Sequence, residues 1–181
     1  RPALAKLNHS DVRQRRRAVR HLFEMDDPDA LDGFEKLLDD PDPWFREKAL
    51  EAIEKWAASK DLALIEKLSQ SAENSRRSLA ARIAVRAGGA GLEILSQLCT
   101  DDESKIRLAA WKARILVDEA SIPEALIVVD RAVRRAAAEQ VSRLENVDSR
   151  VILQLLSDES ESVRASALGI IQANSSALDD D

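Results

Sequence analysis

The chain has 181 residues, which is enough for one ordinary domain or one short array of repeats. Hydrophobic residues make up 45% and charged residues 33%, a composition that excludes a disordered chain, and the net charge of −6 excludes a uniformly basic nucleic-acid binder. Only 3% of residues are aromatic and only five are glycine, so the composition favours helices.

Twelve helices are predicted in chain order. They lie at residues 3–8, 11–25, 28–38, 43–58, 61–70, 75–87, 90–98, 103–117, 122–129, 131–145, 149–156 and 161–173. Asp27-Pro28 and Asp42-Pro43 are typical of an N-cap followed by proline at the first helical position. Gly88, Gly89 and Gly91 break the chain between two helices. No apolar run approaches the length of a membrane span.

A repeat centred on one arginine organises these helices. The arginine recurs at separations of 31, 31, 30, 27 and 30 residues, and an alanine follows it by three positions each time. The arginines, called here the column arginines, are Arg15, Arg46, Arg77, Arg107, Arg134 and Arg164; the alanines are Ala18, Ala49, Ala80, Ala110, Ala137 and Ala167. Positions three, four and seven after the arginine share one helix face and are mostly apolar.

The predicted fold is all-α: a right-handed α-α superhelix of about six antiparallel helix pairs, forming one domain over residues 1–181. The repeats are placed at approximately 1–25, 26–58, 59–87, 88–117, 118–145 and 146–174, and an acidic tail at 175–181. The fifth repeat is three residues short, and the apolar positions of its first helix are assigned to Ile122, Leu126 and Val129.

Residues 42–50 and 161–168 resemble the second-helix signature of HEAT repeats, in which an acidic turn precedes a Val-Arg and then an Ala-Leu pair. The resemblance covers nearly the whole chain. The period near 30 is shorter than the roughly 40–47 residues of longer HEAT units and is similar to that of phycobilisome-lyase-type proteins. The resemblance implies an armadillo-like solenoid that presents one face to a protein or a nucleic acid.

The resemblance also implies a structural role for the column arginines. In HEAT-like stacks an arginine at this position pairs with turn carboxylates and helix ends between neighbouring repeats, a role that suits the planar guanidinium fork. Asp40, Asp102 and Asp158 are near enough in sequence to be the partners.

A candidate partner-binding surface lies one, five and nine positions after each column arginine, and we call these positions the stripe. The stripe is net basic in repeats 1, 3, 4 and 5. Its predicted centre is Arg82, Arg86 and Lys112, with Arg16, Arg20, Arg135 and Arg143 at its margins. Such a basic face suits an acidic protein segment or nucleic acid. The competing interpretation is a solvated face with ion pairs to acids such as Glu51 or Glu139.

No sequence feature indicates catalysis, a metal or a cofactor. His9 and His21 are isolated, and neither a nucleophile elbow nor a phosphate-binding glycine motif occurs. Cys99, the sole cysteine, is interpreted as a buried apolar residue. Trp111 is assigned to the core and Trp44 to a partly exposed position.

The leading functional hypothesis is a non-enzymatic, cytoplasmic scaffold that binds another protein through the face of its second helices. The partner is expected to carry an acidic segment and not to be a membrane. A nucleic-acid-binding module is the first alternative. An accessory lyase or chaperone for a chromophore protein is the second, on family association alone.

Overall fold

The computed structural model describes residues 2–144 and 146–179, with side chains as far as residue 173. Every regular element in these residues is helical. The helices are α1 Pro2–Ala5, α2 Val12–Glu24, α3 Leu31–Glu35, α4 Pro43–Trp56, α5 Leu62–Ser69, α6 Asn74–Ile83, α7 Gly89–Leu98, α8 Ser104–Val117, α9 Ile122–Ala125, α10 Arg131–Val141, α11 Ser149–Leu156 and α12 Glu161–Asp179. The predicted all-α solenoid of helix pairs is therefore confirmed.

Each pair joins an odd-numbered first helix to an even-numbered second helix. Several first helices are short and are completed by 3-10 turns, such as Pro28–Ala30 before α3 and Lys36–Asp39 after it. Asp11, Asp42 and Asp148 cap α2, α4 and α11, because each carboxylate accepts a hydrogen bond from the backbone N–H two residues later. Asp27-Pro28 starts a 3-10 turn rather than an α-helix.

The column alanines lie in the core, as the repeat predicts. Ala49, Ala80, Ala110, Ala137 and Ala167 have no exposed surface, and Ala18 is 4% exposed. A methyl group at this position lets neighbouring second helices pack closely, and those helices contact each other more extensively than the first helices do. In a two-layer stack the more tightly spaced layer is the inner one, so the second helices form the inner face.

Gly91 marks the closest approach between two helices. A Cβ atom on Gly91 would lie 1.8 Å from the carbonyl oxygen of Ala84, so only glycine fits where α7 packs against the end of the third repeat. Gly88 adopts φ +61, which ends the preceding 3-10 turn and redirects the chain into α7.

The fifth repeat departs from the predicted pattern. Helix α9 ends at Ala125 rather than at residue 129, and α10 ends at Val141 rather than at residue 145. Ile122 and Leu126 are buried as expected, but Val129 is 96% exposed. The assignment of Val129 to the core is wrong because the shortened helix leaves this residue in the turn before α10.

The end of the chain also differs from the prediction. Helix α12 continues to Asp179, so most of the predicted acidic tail at 175–181 is helical. Residues 180 and 181 lie outside the described part of the chain. The repeat boundaries given above stay predictions.

Candidate functional site

The column arginines form a ladder between repeats. From Arg46 onwards each guanidinium donates hydrogen bonds to the carbonyl oxygens five and six residues earlier, at N–O distances of 2.7–3.1 Å. These carbonyls belong to the turn that precedes the arginine's own helix. The arginine therefore closes the turn of its repeat, and Arg15 does the same through the carbonyl of Leu7.

Four column arginines also form ion pairs with aspartates of the following repeat. Arg15 pairs with Asp40, Arg77 with Asp101 at 2.7 Å, Arg107 with Asp130 at 3.2 Å and Arg134 with Asp158 at 2.8 Å. The carboxylates of Asp40, Asp101 and Asp158 also accept the backbone N–H two residues later, which ties the next turn to the same ion pair.

The predicted carboxylate partners need one correction. Asp40 and Asp158 are partners as expected, but the partner of Arg77 is Asp101, and Asp102 contributes only its backbone carbonyl to Arg107. The spacing from column arginine to aspartate ranges from 23 to 25 residues, so spacing alone does not distinguish Asp101 from Asp102.

Arg46 contacts carbonyls but no carboxylate of the following repeat, where Ser71 stands 25 residues after it. Ser71 keeps one function of the aspartates, since its hydroxyl accepts the backbone N–H of Glu73. We expect Ser71→Asp to raise the free energy of unfolding by about 0.5–1 kcal/mol by adding the missing ion pair. Urea unfolding measures the change. Ser71→Asn is the uncharged control. Equal stability of the two variants would contradict the inference that an aspartate at position 71 pairs with Arg46.

The Arg77 guanidinium holds the pKa of Asp101 below its usual value. Because the folded pKa is lower than the unfolded one, the ion pair stabilises the fold above the unfolded pKa of about 4, and this contribution is lost as pH falls through the folded pKa. We expect Asp101→Asn to be less stable than the parent at neutral pH and to lose less stability on acidification. Asp102→Asn is the matched control; because the carboxylate that Arg77 contacts is that of Asp101, this variant should be more stable than Asp101→Asn in urea unfolding at neutral pH.

Most cations of the stripe already have partners. Arg16 pairs with Asp42 at 3.1 Å and Arg135 with Glu139 at 3.4 Å. The predicted centre of the stripe is also engaged: Arg82 pairs with Glu54 at 2.9 Å. The hydrogen bonds from Arg82 hold the pKa of Glu54 below its usual value.

Arg86 is held by backbone rather than by an acid. Its guanidinium donates to the carbonyls of Glu54 and Ala57, at 2.7 and 3.0 Å, and so caps the end of α4. The geometry thus does not leave Arg82 and Arg86 as free positive charges. The sequence analysis named Glu51 and Glu139 as examples of competing acids, and it did not identify Glu54, which lies 28 residues before Arg82.

Three stripe cations remain exposed with no ion-pair or hydrogen-bond partner among the described side chains. They are Arg20 on α2, Lys112 on α8 and Arg143 just after α10. Lys112 and Arg143 line one groove between α8 and α10. The structure therefore brings these two predicted residues together and places Arg20 at the other end of the inner face.

The tryptophans take the predicted positions. Trp111 is 4% exposed and lies in the core, with the guanidinium carbon of Arg114 5.0 Å from its ring centroid. Trp44 is half-buried near the start of α4, with Arg16 and Lys48 over its ring at 5.1 and 5.9 Å. The Trp44 ring therefore already makes cation–π contacts with two side chains of the same chain.

Cys99 and His9 both have surroundings that the structure defines. Cys99 is 5% exposed, and burial raises the pKa of its thiol to about 11, which disfavours the thiolate. His9 accepts the backbone N–H of Asp11 through Nδ1. Within residues 2–144 and 146–173, no three His, Cys, Asp or Glu side chains are grouped as metal ligands would be. None of the helices in those residues has the length and apolar character of a membrane span.

Comparison with known proteins identifies the repeat type. A family model for HEAT repeats matches residues 1–86. No curated protein matches the sequence. Among solved structures, a designed armadillo repeat protein in complex with the peptide (KR)4 is similar at a TM-score of 0.56 and 19% identity, covering 95% of this chain and 98% of that one.

Two further structures are similar. A computationally designed armadillo repeat protein for modular peptide recognition matches at a TM-score of 0.55 and 20% identity, over 95% of this chain and 98% of its own. The complex of CpcE and CpcF of phycocyanin lyase from a Nostoc species matches at a TM-score of 0.39 and 16% identity, covering 95% of this chain and 86% of that one. This similarity is too distant to support an argument. Residues 1–86 match the HEAT-repeat family model, and the described length of the chain has the solenoid fold of the designed armadillo repeat proteins.

Proposed function

We propose that this protein is a non-enzymatic scaffold that binds an acidic segment of a protein partner along its inner face. The observation that carries the proposal is the distribution of unpaired charge. The chain has a net charge of −6, yet Arg20 on α2, Lys112 on α8 and Arg143 just after α10 are exposed and have no partner among the described residues. A locally basic face on an acidic protein attracts carboxylates and disfavours other basic surfaces.

The fold supports a peptide-like partner. Two of the similar solenoids are designed armadillo proteins, one in complex with the basic peptide (KR)4 and one for modular peptide recognition. The free charges of the stripe at α8 and α10 are positive, whereas the exposed acids Glu24 and Glu47 lie on α2 and α4. We therefore propose a negatively charged partner segment that is held at the α8 and α10 end of the inner face. The sole cysteine and its burial agree with a reducing, cytoplasmic location, which is part of the proposal.

A protein partner is favoured over nucleic acid because acidic side chains separate the cations of the stripe, which therefore do not form a continuous binding surface for phosphates. Its eight cations alternate with Glu24, Glu47, Glu51 and Glu139, and five of the cations are already engaged within the fold. The stripe positions on α12, Ala165, Gly169 and Ala173, carry no charge. A polyanion with evenly spaced charges would meet repulsion on α4 and no cation on α12.

The test compares three fluorescent probes by anisotropy at several salt concentrations. The probes are a short peptide of alternating glutamate and serine, its lysine counterpart, and a single-stranded oligonucleotide of similar length. We expect only the acidic peptide to bind, and Arg20→Glu, Lys112→Glu and Arg143→Glu together to abolish this binding.

The control reverses three cations outside the inner face, Lys36, Lys60 and Arg150, to glutamate and so changes the net charge equally. These side chains are exposed and have no ion-pair partner in the described residues. Equal loss of binding in both triple variants would contradict the proposal. Stronger binding of the oligonucleotide with steep salt dependence would replace it with nucleic-acid recognition.

A further inference from the structure

The groove between α8 and α10 is the part of the inner face where unpaired charge and exposed apolar surface coincide. It is lined by Lys112 and Leu116 from α8, by Ala136 and Glu139 from α10, and by Arg143. It encloses about 180 Å³. Small-molecule sites usually enclose roughly 300–1,000 Å³, so this groove is sized for side chains of a docked segment.

The charge in the groove is positive and available. Lys112 and Arg143 are exposed, and neither has a partner in the described residues. Glu139 is the one acid that lines the groove, and its carboxylate contacts Arg135 at 3.4 Å. This arrangement contrasts with α6, where Arg82 and Arg86 are occupied by the end of α4. Apart from Arg20 on α2, the free cations that an acidic segment would find on the stripe are Lys112 on α8 and Arg143 just after α10.

The apolar surface lies beside these cations. Leu116 is 61% exposed and Val117 is 56% exposed at the end of α8. Lys112 and Leu116 are four residues apart and so project from the same side of the helix. A large apolar side chain that stays exposed next to unpaired charge has the composition of an interface anchor, where apolar burial adds affinity and charge adds specificity.

We propose that this groove is the anchor subsite for a partner segment in which a large apolar residue is flanked by carboxylates. The carboxylates pair with Lys112 and Arg143, and the apolar side chain packs on Leu116. The inference rests on the proposed function and deepens it, because it states where on the inner face the segment is held and which sequence chemistry it carries. The inference adds an apolar contact with Leu116 to the charge complementarity proposed above.

The test uses two peptide probes of equal charge, one alternating aspartate with leucine and one alternating aspartate with serine. We expect the leucine peptide to bind about tenfold more tightly to the parent protein. Lys112→Glu with Arg143→Glu should weaken both peptides about tenfold or more. Leu116→Ser should weaken only the leucine peptide and so remove its advantage. Circular dichroism verifies folding, and Lys112→Ala with Arg143→Ala is a milder second variant.

Two matched controls make the outcomes distinct. Arg13→Glu with Arg20→Glu reverses charge on α2, at the other end of the inner face, and Leu153→Ser alters a leucine on α11 that is 63% exposed. If the α2 pair weakens binding and the α8–α10 pair does not, the scaffold stands and this anchor is wrong. If both peptides bind equally, the apolar part is wrong. If neither peptide binds the parent, the anchor and the proposed function both fail.

Discussion

Replacing Arg134 by methionine is expected to lower the free energy of unfolding by roughly 2–4 kcal/mol, toward the lower end of the range for breaking a buried ion pair. The side chain of Arg134 is 7% exposed and contacts Asp158 and Glu159, both at 2.8 Å. It also donates to the carbonyls of Val128 and Val129. Methionine fills similar space but leaves the buried Asp158 carboxylate and two carbonyls without their donor.

Methionine substitutions at two other arginines provide reference values for the loss of stability. Arg46→Met removes two carbonyl contacts but no ion pair, so we expect a smaller loss than for Arg134→Met. Arg20→Met changes an exposed, unpaired side chain and should leave stability nearly unchanged. Urea unfolding followed by circular dichroism gives the three values. Affinity of Arg134→Met for the acidic peptide under folding conditions should match that of the parent. Retained stability with lost affinity would show that the column is a binding surface.

Gly91→Ala is expected to destabilise the protein by about 1–3 kcal/mol, the range for overpacking a tight contact. The new methyl carbon would lie 1.8 Å from the carbonyl oxygen and 2.8 Å from the carbonyl carbon of Ala84, so α7 must move away from the third repeat. Both atoms belong to the backbone, which cannot rotate aside as a side chain could.

Gly169→Ala is the matched control. Gly169 lies within α12, and a methyl group there would have no atom within 4 Å apart from its chain neighbours and the backbone of its own helix. Alanine should raise the free energy of unfolding by about 0.5–1 kcal/mol, since it restricts the unfolded chain more than glycine does. Thermal and urea unfolding of the two variants should therefore shift in opposite directions. Destabilisation by both, or by neither, would contradict the close approach at Gly91.

The sequence by itself determined the repeat and its packing surface. Arginine and alanine recur at fixed offsets, and those offsets define one helix face without any knowledge of the neighbouring helices. The column alanines, Trp111 and Cys99 are accordingly buried as predicted. The structural role assigned to the column arginines agrees with the contacts they make, because the turn that each one closes lies within its own repeat.

The pairing between repeats was decided by the tertiary structure alone. Consecutive residues on a helix or turn point in directions about 100° apart, so the choice between Asp101 and Asp102 as partner of Arg77 depends on how the two turns dock. The same holds for Arg82, whose partner Glu54 lies 28 residues earlier on a packed helix. Local periodicity carries no information about such contacts.

The free cations of the inner face were likewise identified only by the packed structure. Sequence spacing placed Arg82, Arg86 and Lys112 on one stripe, but it could not show which of the three is free to bind a partner. The packing of α6 against α4 engages Arg82 and Arg86. Lys112 and Arg143 instead face a groove in which the one acid among the described lining residues, Glu139, already contacts Arg135. Whether a charge is available to a partner depends on which neighbouring groups lie within hydrogen-bond reach, and those distances are fixed by the docking of one helix pair on the next.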